Sequence, residues 1–171
     1  MVESAWRRWI SPRPSDALDV ALRYLARRPR SEYEVRQRLR RAGVEPGTVD
    51  ATLGQLRRHR LLDDTGFAEY WVEQRQTHRP RGARLLRAEL AQRGVARPVA
   101  DEAITVVDDT AAEDAYRAAS TRAERLRELP LEVFEARLGG FLARRGFDWE
   151  VTASVVKRLW TEVSADGGRD S

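Results

Sequence analysis

The residues best able to do chemistry are few. Two adjacent carboxylate pairs, Asp63-Asp64 and Asp108-Asp109, carry the kind of side chain that holds a divalent cation. Each pair stands just before a segment with helical apolar spacing, where acids cap the first turn and complement the positive end of the helix dipole. Capping is therefore the expected role of both, with Asp64 capping the helix that begins near Phe67. His59 and His78 sit 19 residues apart on different expected helices, which is not a metal-ligand spacing. Lys157 is the only lysine and follows no glycine-rich phosphate loop. The chain has no cysteine, which excludes disulfides, thiolate catalysis and Cys-based zinc sites. No Ser–His–acid arrangement stands out. The expectation is a protein that is not an enzyme and needs neither cofactor nor metal.

Chemistry of a second kind is abundant. Charged residues make up 34% of the 171, and the net charge of +4 hides a gradient. Residues 1–100 hold 21 arginines against 12 acids, a balance of +9, whereas residues 101–171 sum to −5. Such asymmetry points to a polyanionic or acidic partner for the first part, and the arginine fork can grip phosphate or carboxylate with two bonds. If the helix over Tyr33 to Ala42 buries Val35, Leu39 and Ala42, then Arg36, Arg40 and Arg41 face away, with Arg38 at the edge. Inward Leu86 and Leu90 likewise leave Arg84 and Arg87 outside beside Arg81. Arg57 and Arg58 close the first unit. These eight (Arg36, Arg40, Arg41, Arg57, Arg58, Arg81, Arg84 and Arg87) are expected to form one basic stripe. The plainer alternative is a solvated face with i,i+4 pairs such as Glu32–Arg36 and Glu34–Arg38. Phe67, Trp71, Trp149 and Trp160 lie on apolar stripes and are expected in the core.

The elements that must position these side chains repeat along the chain. Leu39-Arg40-Arg41-Ala42-Gly43-Val44 recurs as Leu90-Ala91-Gln92-Arg93-Gly94-Val95 and as Leu142-Ala143-Arg144-Arg145-Gly146-Phe147, with the glycines 51 and 52 residues apart. Each reads as a helix that ends on a glycine in the left-handed region. A second apolar series follows each glycine: Val49/Leu53/Leu56, Val99/Ala103/Val106 and Val151/Val155/Leu159, which implies one extra residue near Pro46-Gly47 in the first copy. A third helix precedes each glycine helix; in the first copy Leu18, Ala21, Leu22 and Leu25 mark it. Ser31 and Glu34 have the capping-box spacing. The fold class is thus all-α: three tandem three-helix repeats, about nine helices, in an elongated, curved array that shares faces between neighbours. The expected boundaries are a flexible extension over 1–14, repeats over 15–62, 63–108 and 109–163, and a disordered tail over 164–171. No apolar run approaches the ~20 residues needed to span a bilayer. The amino terminus, with Trp6 and Trp9, lacks a secretory apolar region. A cytoplasmic protein is expected, and, with no heptad seam, a monomer.

The most specific stretch combines Leu62, Asp63 and Asp64 with Phe67-Ala68, then Arg81-Gly82, then Glu89-Leu90 before Gly94 and Val95. This order and spacing resembles the RecX family, the regulators of the bacterial recombinase RecA. The flanks fit as well, through Ala21, Leu22, Leu25, Glu34, Leu39 and Gly43 on one side and Phe141, Leu142, Arg145, Gly146 and Phe147 on the other. The resemblance runs from about Asp16 to Trp160. It implies that Asp63, Asp64, Phe67, Ala68, Gly82, Glu89, Leu90, Gly43, Gly94 and Gly146 are structural. It also implies a non-catalytic inhibitor that lodges in the groove of the RecA filament on single-stranded DNA. There it would limit filament extension, ATP hydrolysis, strand exchange and co-protease function in recombination, DNA repair and the SOS response. Two readings compete: a helix-turn-helix-like protein that binds DNA directly, and a scaffold for an acidic protein. Against the first, only Val49 to Arg60, with Gln55, Arg57 and Arg58, offers a polar recognition helix.

Overall fold

The computed structural model describes residues 14–167, so Trp6 and Trp9 lie outside the described residues. Eight helices and no strand are found among them. They are α1 (Pro14–Leu25), α2 (Glu32–Arg41), α3 (Pro46–Arg58), α4 (Asp64–His78), α5 (Ala83–Gln92), α6 (Arg97–Glu124), α7 (Leu131–Arg144) and α8 (Trp149–Gly167). No helix among the described residues is long and apolar enough to cross a membrane.

Local chemistry sets the ends of these helices. Ser31 caps α2 through its side chain, which accepts the Glu34 N–H, and the Glu34 carboxylate reaches back to the Ser31 N–H, completing the expected box. Such a cap contributes about 1 kcal/mol. Pro46 and Pro98 stand in the first turns of α3 and α6, where a missing N–H costs nothing. The ends of α2, α5 and α7 carry Gly43, Gly94 and Gly146 with φ of +77°, +73° and +87°.

The apolar side chains gather into three separate cores. The first joins Ala17, Ala21, Val35, Leu39, Val49, Leu53 and Leu56; the second Phe67, Trp71, Leu86, Leu90, Ile104 and Val107. The third joins Ala115, Ala119, Phe134, Leu138, Leu142, Val156 and Leu159. Each core lies among three helical segments, so the molecule is a tandem array of three-helix repeats.

Four expectations need correction. The helix expected to close the second repeat and the one expected to open the third are one helix, α6, of 28 residues. Asp108 and Asp109 therefore cap nothing: they lie exposed in mid-helix, and the boundary expected at 108/109 falls inside a continuous element. The first turn has no extra residue either. Buried Val49, Ala100 and Thr152 each stand six residues beyond their glycine, and Leu53, Ile104 and Val156 each stand ten. The Val99/Ala103/Val106 series lies one residue out of phase with the buried face, and Val106 is 62% exposed while Val107 is buried. Trp149 is the fourth correction; it is 80% exposed rather than core. At the carboxyl end, α8 continues through Ser164 to Gly167.

Candidate functional site: the joints between repeats and the arginine surface

The motif residues sit where repeats meet. Asp63, not Asp64, is the N-cap of α4: its carboxylate accepts the N–H groups of Thr65 and Gly66 at 3.0 and 3.2 Å. Asp64 turns the other way and accepts the Glu32 N–H at 2.8 Å, which caps the start of α2 in the preceding repeat. Burial pushes the Asp64 carboxyl above the usual aspartate range, while the bond from Glu32 pulls it back. The Ser31 hydroxyl, besides capping α2, donates to the Arg93 carbonyl at 2.7 Å. Gly94 lies so close to Tyr33 that a methyl group there would collide with the Tyr33 Cβ.

The second joint repeats the first with other atoms. The Gly82 N–H donates to the Arg145 carbonyl at 2.9 Å, and Arg84 donates to the Ala143 carbonyl at 2.5 Å. Arg145 reaches the Pro80 carbonyl at 3.3 Å. Gly82 and Gly146 approach so closely that neither tolerates a Cβ: the one would meet the Gly146 carbonyl group, the other the Leu85 backbone. In both joints a glycine turn at the end of one second helix is seated on the start of the preceding repeat's second helix. The helices α7, α5 and α2 thus follow one another end to end, all running the same way.

Between the joints lies a buried carboxylate. Glu89 is 8% exposed and accepts from Trp71 Nε1 at 2.8 Å and Arg75 Nε at 3.1 Å, and it pairs with Arg81. The guanidiniums of Arg75 and Arg93 cover the Trp71 ring, 4.0 and 3.6 Å from its centroid. Burial lowers the Arg81 pKa, and crowding by Arg75, Arg145, Arg79 and Arg93 lowers it further. Burial lowers those of Arg93 and Arg145 too. This gathering of four arginines about Arg81 is not legible in the sequence, because Arg75, Arg79, Arg93 and Arg145 are scattered over 71 positions.

The eight arginines of the expected stripe divide in two. Arg36 pairs with Asp50 at 2.5 Å and Glu32 at 3.1 Å, and the bond to Asp50 raises its pKa. Arg87 pairs with Asp101 at 2.5 Å, a bond that holds the aspartate below its usual range. Arg57 pairs with Glu32 at 3.1 Å, and Arg81 with Glu89. Arg40, Arg41, Arg58 and Arg84 are exposed and have no carboxylate partner among the described residues. Glu34 pairs with Arg28 at 2.9 Å rather than with Arg38. One signal was available: Arg36–Asp50 and Arg87–Asp101 both lie seven residues either side of their glycine. In the third repeat those places hold Gly139 and Ala153, which line an open cavity of about 520 Å³ beside Trp149 and Trp160. Arg84 and Arg144 line another, of about 410 Å³, across the second joint.

Tandem three-helix units, joined through glycine turns and presenting arginines without carboxylate partners among the described residues, define an all-helical repeat protein. Residues 17–56 match the family model described as RecX, first three-helix domain, and residues 63–104 that of RecX, second three-helix domain. The chain belongs to the RecX family. It is 35% identical to the "Regulatory protein RecX" of Amycolatopsis mediterranei (strain U-32), over 88% of this chain and 86% of that one. With the protein of the same name from Halorhodospira halophila (strain DSM 244 / SL1) the identity is 40%, over 88% and 90%. The crystal structure of RecX from Lactobacillus salivarius shares the fold, with a TM-score of 0.78 at 20% identity, over 85% of this chain and 96% of that one.

Proposed function

We propose that this chain is a non-catalytic modulator of the RecA recombinase in the cytoplasm. It binds in the groove of the RecA filament on single-stranded DNA and limits filament extension, ATP hydrolysis, strand exchange and co-protease function. Its family is one of regulatory proteins rather than enzymes. The observation that carries the reading is the row of second helices. It sets Arg40 and Arg41 at the end of α2, and Arg84 with Arg144 at the second joint, along one array. An array of this kind touches several protomers at once and gains by multivalency. The unpaired arginines offer positive charge to DNA phosphates or to acidic side chains of the recombinase, whereas Arg81 and Arg87 are engaged within the fold. Direct duplex readout is disfavoured, since Arg57 of the only polar recognition helix is tied to Glu32.

The experiment adds the protein to RecA filaments on single-stranded DNA during ATP turnover. Stoichiometric amounts are expected to slow hydrolysis, and no slowing would defeat the proposal. Arg41→Glu with Arg144→Glu changes only exposed side chains that make no bond among the described residues and should weaken inhibition at least tenfold with helix content intact. If bare single-stranded DNA is bound, each lost phosphate contact should flatten the log–log salt slope by about 0.7.

A further inference from the structure

The end-to-end row of second helices stops at two open faces. At one, the Gly43 turn reproduces the other two turns: its C-cap φ and ψ of −80° and 3° stand beside −96° and 9°, and −83° and −1°. Yet among the described residues nothing lies within 4 Å of a methyl group placed on Gly43, where Gly94 and Gly146 are packed against the start of another helix. At the other face, α7 begins after Pro130 with no side-chain cap, so the N–H groups of Leu131 and Glu132 have no intrahelical acceptor. Leu131 and Val133 are exposed there by 41% and 37%. Val133 holds the third helical position, the same one from which Leu85 packs against Gly146.

The two faces are also opposite in charge. The last turn of α2 carries Arg38, Arg40 and Arg41, all exposed. The first turn of α7 carries exposed Glu132, preceded by exposed Glu128, which is shared with Arg127 at 3.1 Å. The three arginines and the glutamates outweigh the roughly half-unit dipole charges that they compensate at each helix end, so the two faces attract through their side chains.

We propose that a second copy of this chain seats its Gly43 turn on the first turn of α7, so that copies add head to tail through the joint that already links the repeats. The donors differ in one respect. Pro130 has neither N–H nor hydroxyl, so the Leu131 and Glu132 N–H groups stand in for the Ser31 hydroxyl and the Gly82 N–H. This contact is weaker than the internal joints and leans on charge attraction, which salt screens. Because the two surfaces differ, each added copy leaves one face of each kind free, and continuing the end-to-end alignment of the row extends the association into chains. A monomer then describes the dilute protein only. Copies laid along a common track would reinforce one another, and self-association is testable without any track.

The test is sedimentation of the whole chain up to about 1 mM, the range in which weak contacts populate. At about 0.1 M salt the weight-average mass should about double with concentration, and at about 1 M salt, where the Debye length falls to about 3 Å, it should return to one chain. Arg40→Glu with Arg41→Glu, and separately Glu128→Arg with Glu132→Arg, should each abolish association. A mixture of the two variants should restore it, because only then do opposite ends meet. A chain that remains monomeric at low salt overturns the proposal. So do reversed variants that associate as well as the parent, or a mixture that gains nothing.

Discussion

Glu89 is a buried charge held from three sides. Its carboxylate accepts from an indole and a guanidinium and pairs with a second guanidinium, all inside the second repeat. Removing one partner from a buried charge cluster leaves the others uncompensated. Glu89→Ala is therefore expected to cost about 3 kcal/mol, read as a lowered midpoint in urea unfolding. A loss under about 1 kcal/mol would mean that water replaces the carboxylate and the cluster is not buried in solution. The motif Glu89-Leu90 was legible as a structural signature, but its chemistry was not. A glutamate one position from a buried leucine reads as a helix flank until Trp71, 18 residues earlier, is known to lie across from it. The same limit applies to Asp63 and Asp64. Adjacent carboxylates announce a cap, yet only the path of the preceding repeat shows that one caps its own helix and the other its neighbour's.

Among the elements, the three glycine turns were visible in the sequence at once, because a left-handed residue after an apolar helix leaves few choices but glycine. What the sequence could not show is that they are unequal. Gly43 needs glycine only for its φ, whereas Gly94 and Gly146 need it for their φ and for lack of bulk. Gly43→Ala should cost about 1 kcal/mol, the left-handed penalty alone. Gly94→Ala should cost that plus about 1–3 kcal/mol of overpacking against Tyr33. Equal losses in thermal unfolding would show that the first joint is loose. In the second repeat the third helix is ambiguous by one residue, since Val99 and Val106 are at least as apolar as the buried Ala100 and Val107. Hydrophobicity alone does not fix phase in a helix with apolar side chains on two faces. Trp149 is exposed for a related reason: in the first turn of α8 it borders an open cavity where α7 offers Gly139, which has no side chain to cover it.

For the whole molecule, the decisive feature is α6, which serves the second core through Ile104 and Val107 and the third through Ala115 and Ala119. The sequence presented it as two helices because Asp108-Asp109 looks like a cap and the apolar phase shifts there. The structure resolves this by turning the helix's buried face from one core to the next along a continuous backbone. Asp109→Pro alters only an exposed position but removes a helical hydrogen bond and should cost about 3 kcal/mol. It should also split unfolding into two transitions and change the maximum dimension seen by X-ray scattering. A single transition with unchanged scattering would show that the joint at Gly82 and Gly146 couples the repeats without the shared helix.

That helix also makes the array unequal as something to be lengthened or shortened by evolution. Between the first and second repeats the backbone passes through a short link at 59–63, and the joint is made by a few polar bonds and one glycine contact. A gene that gained or lost a unit there would cut no helix. Between the second and third, any such cut divides α6 and opens two cores together. Duplication and loss are therefore expected at the amino-terminal side, with the second and third repeats inherited as a pair.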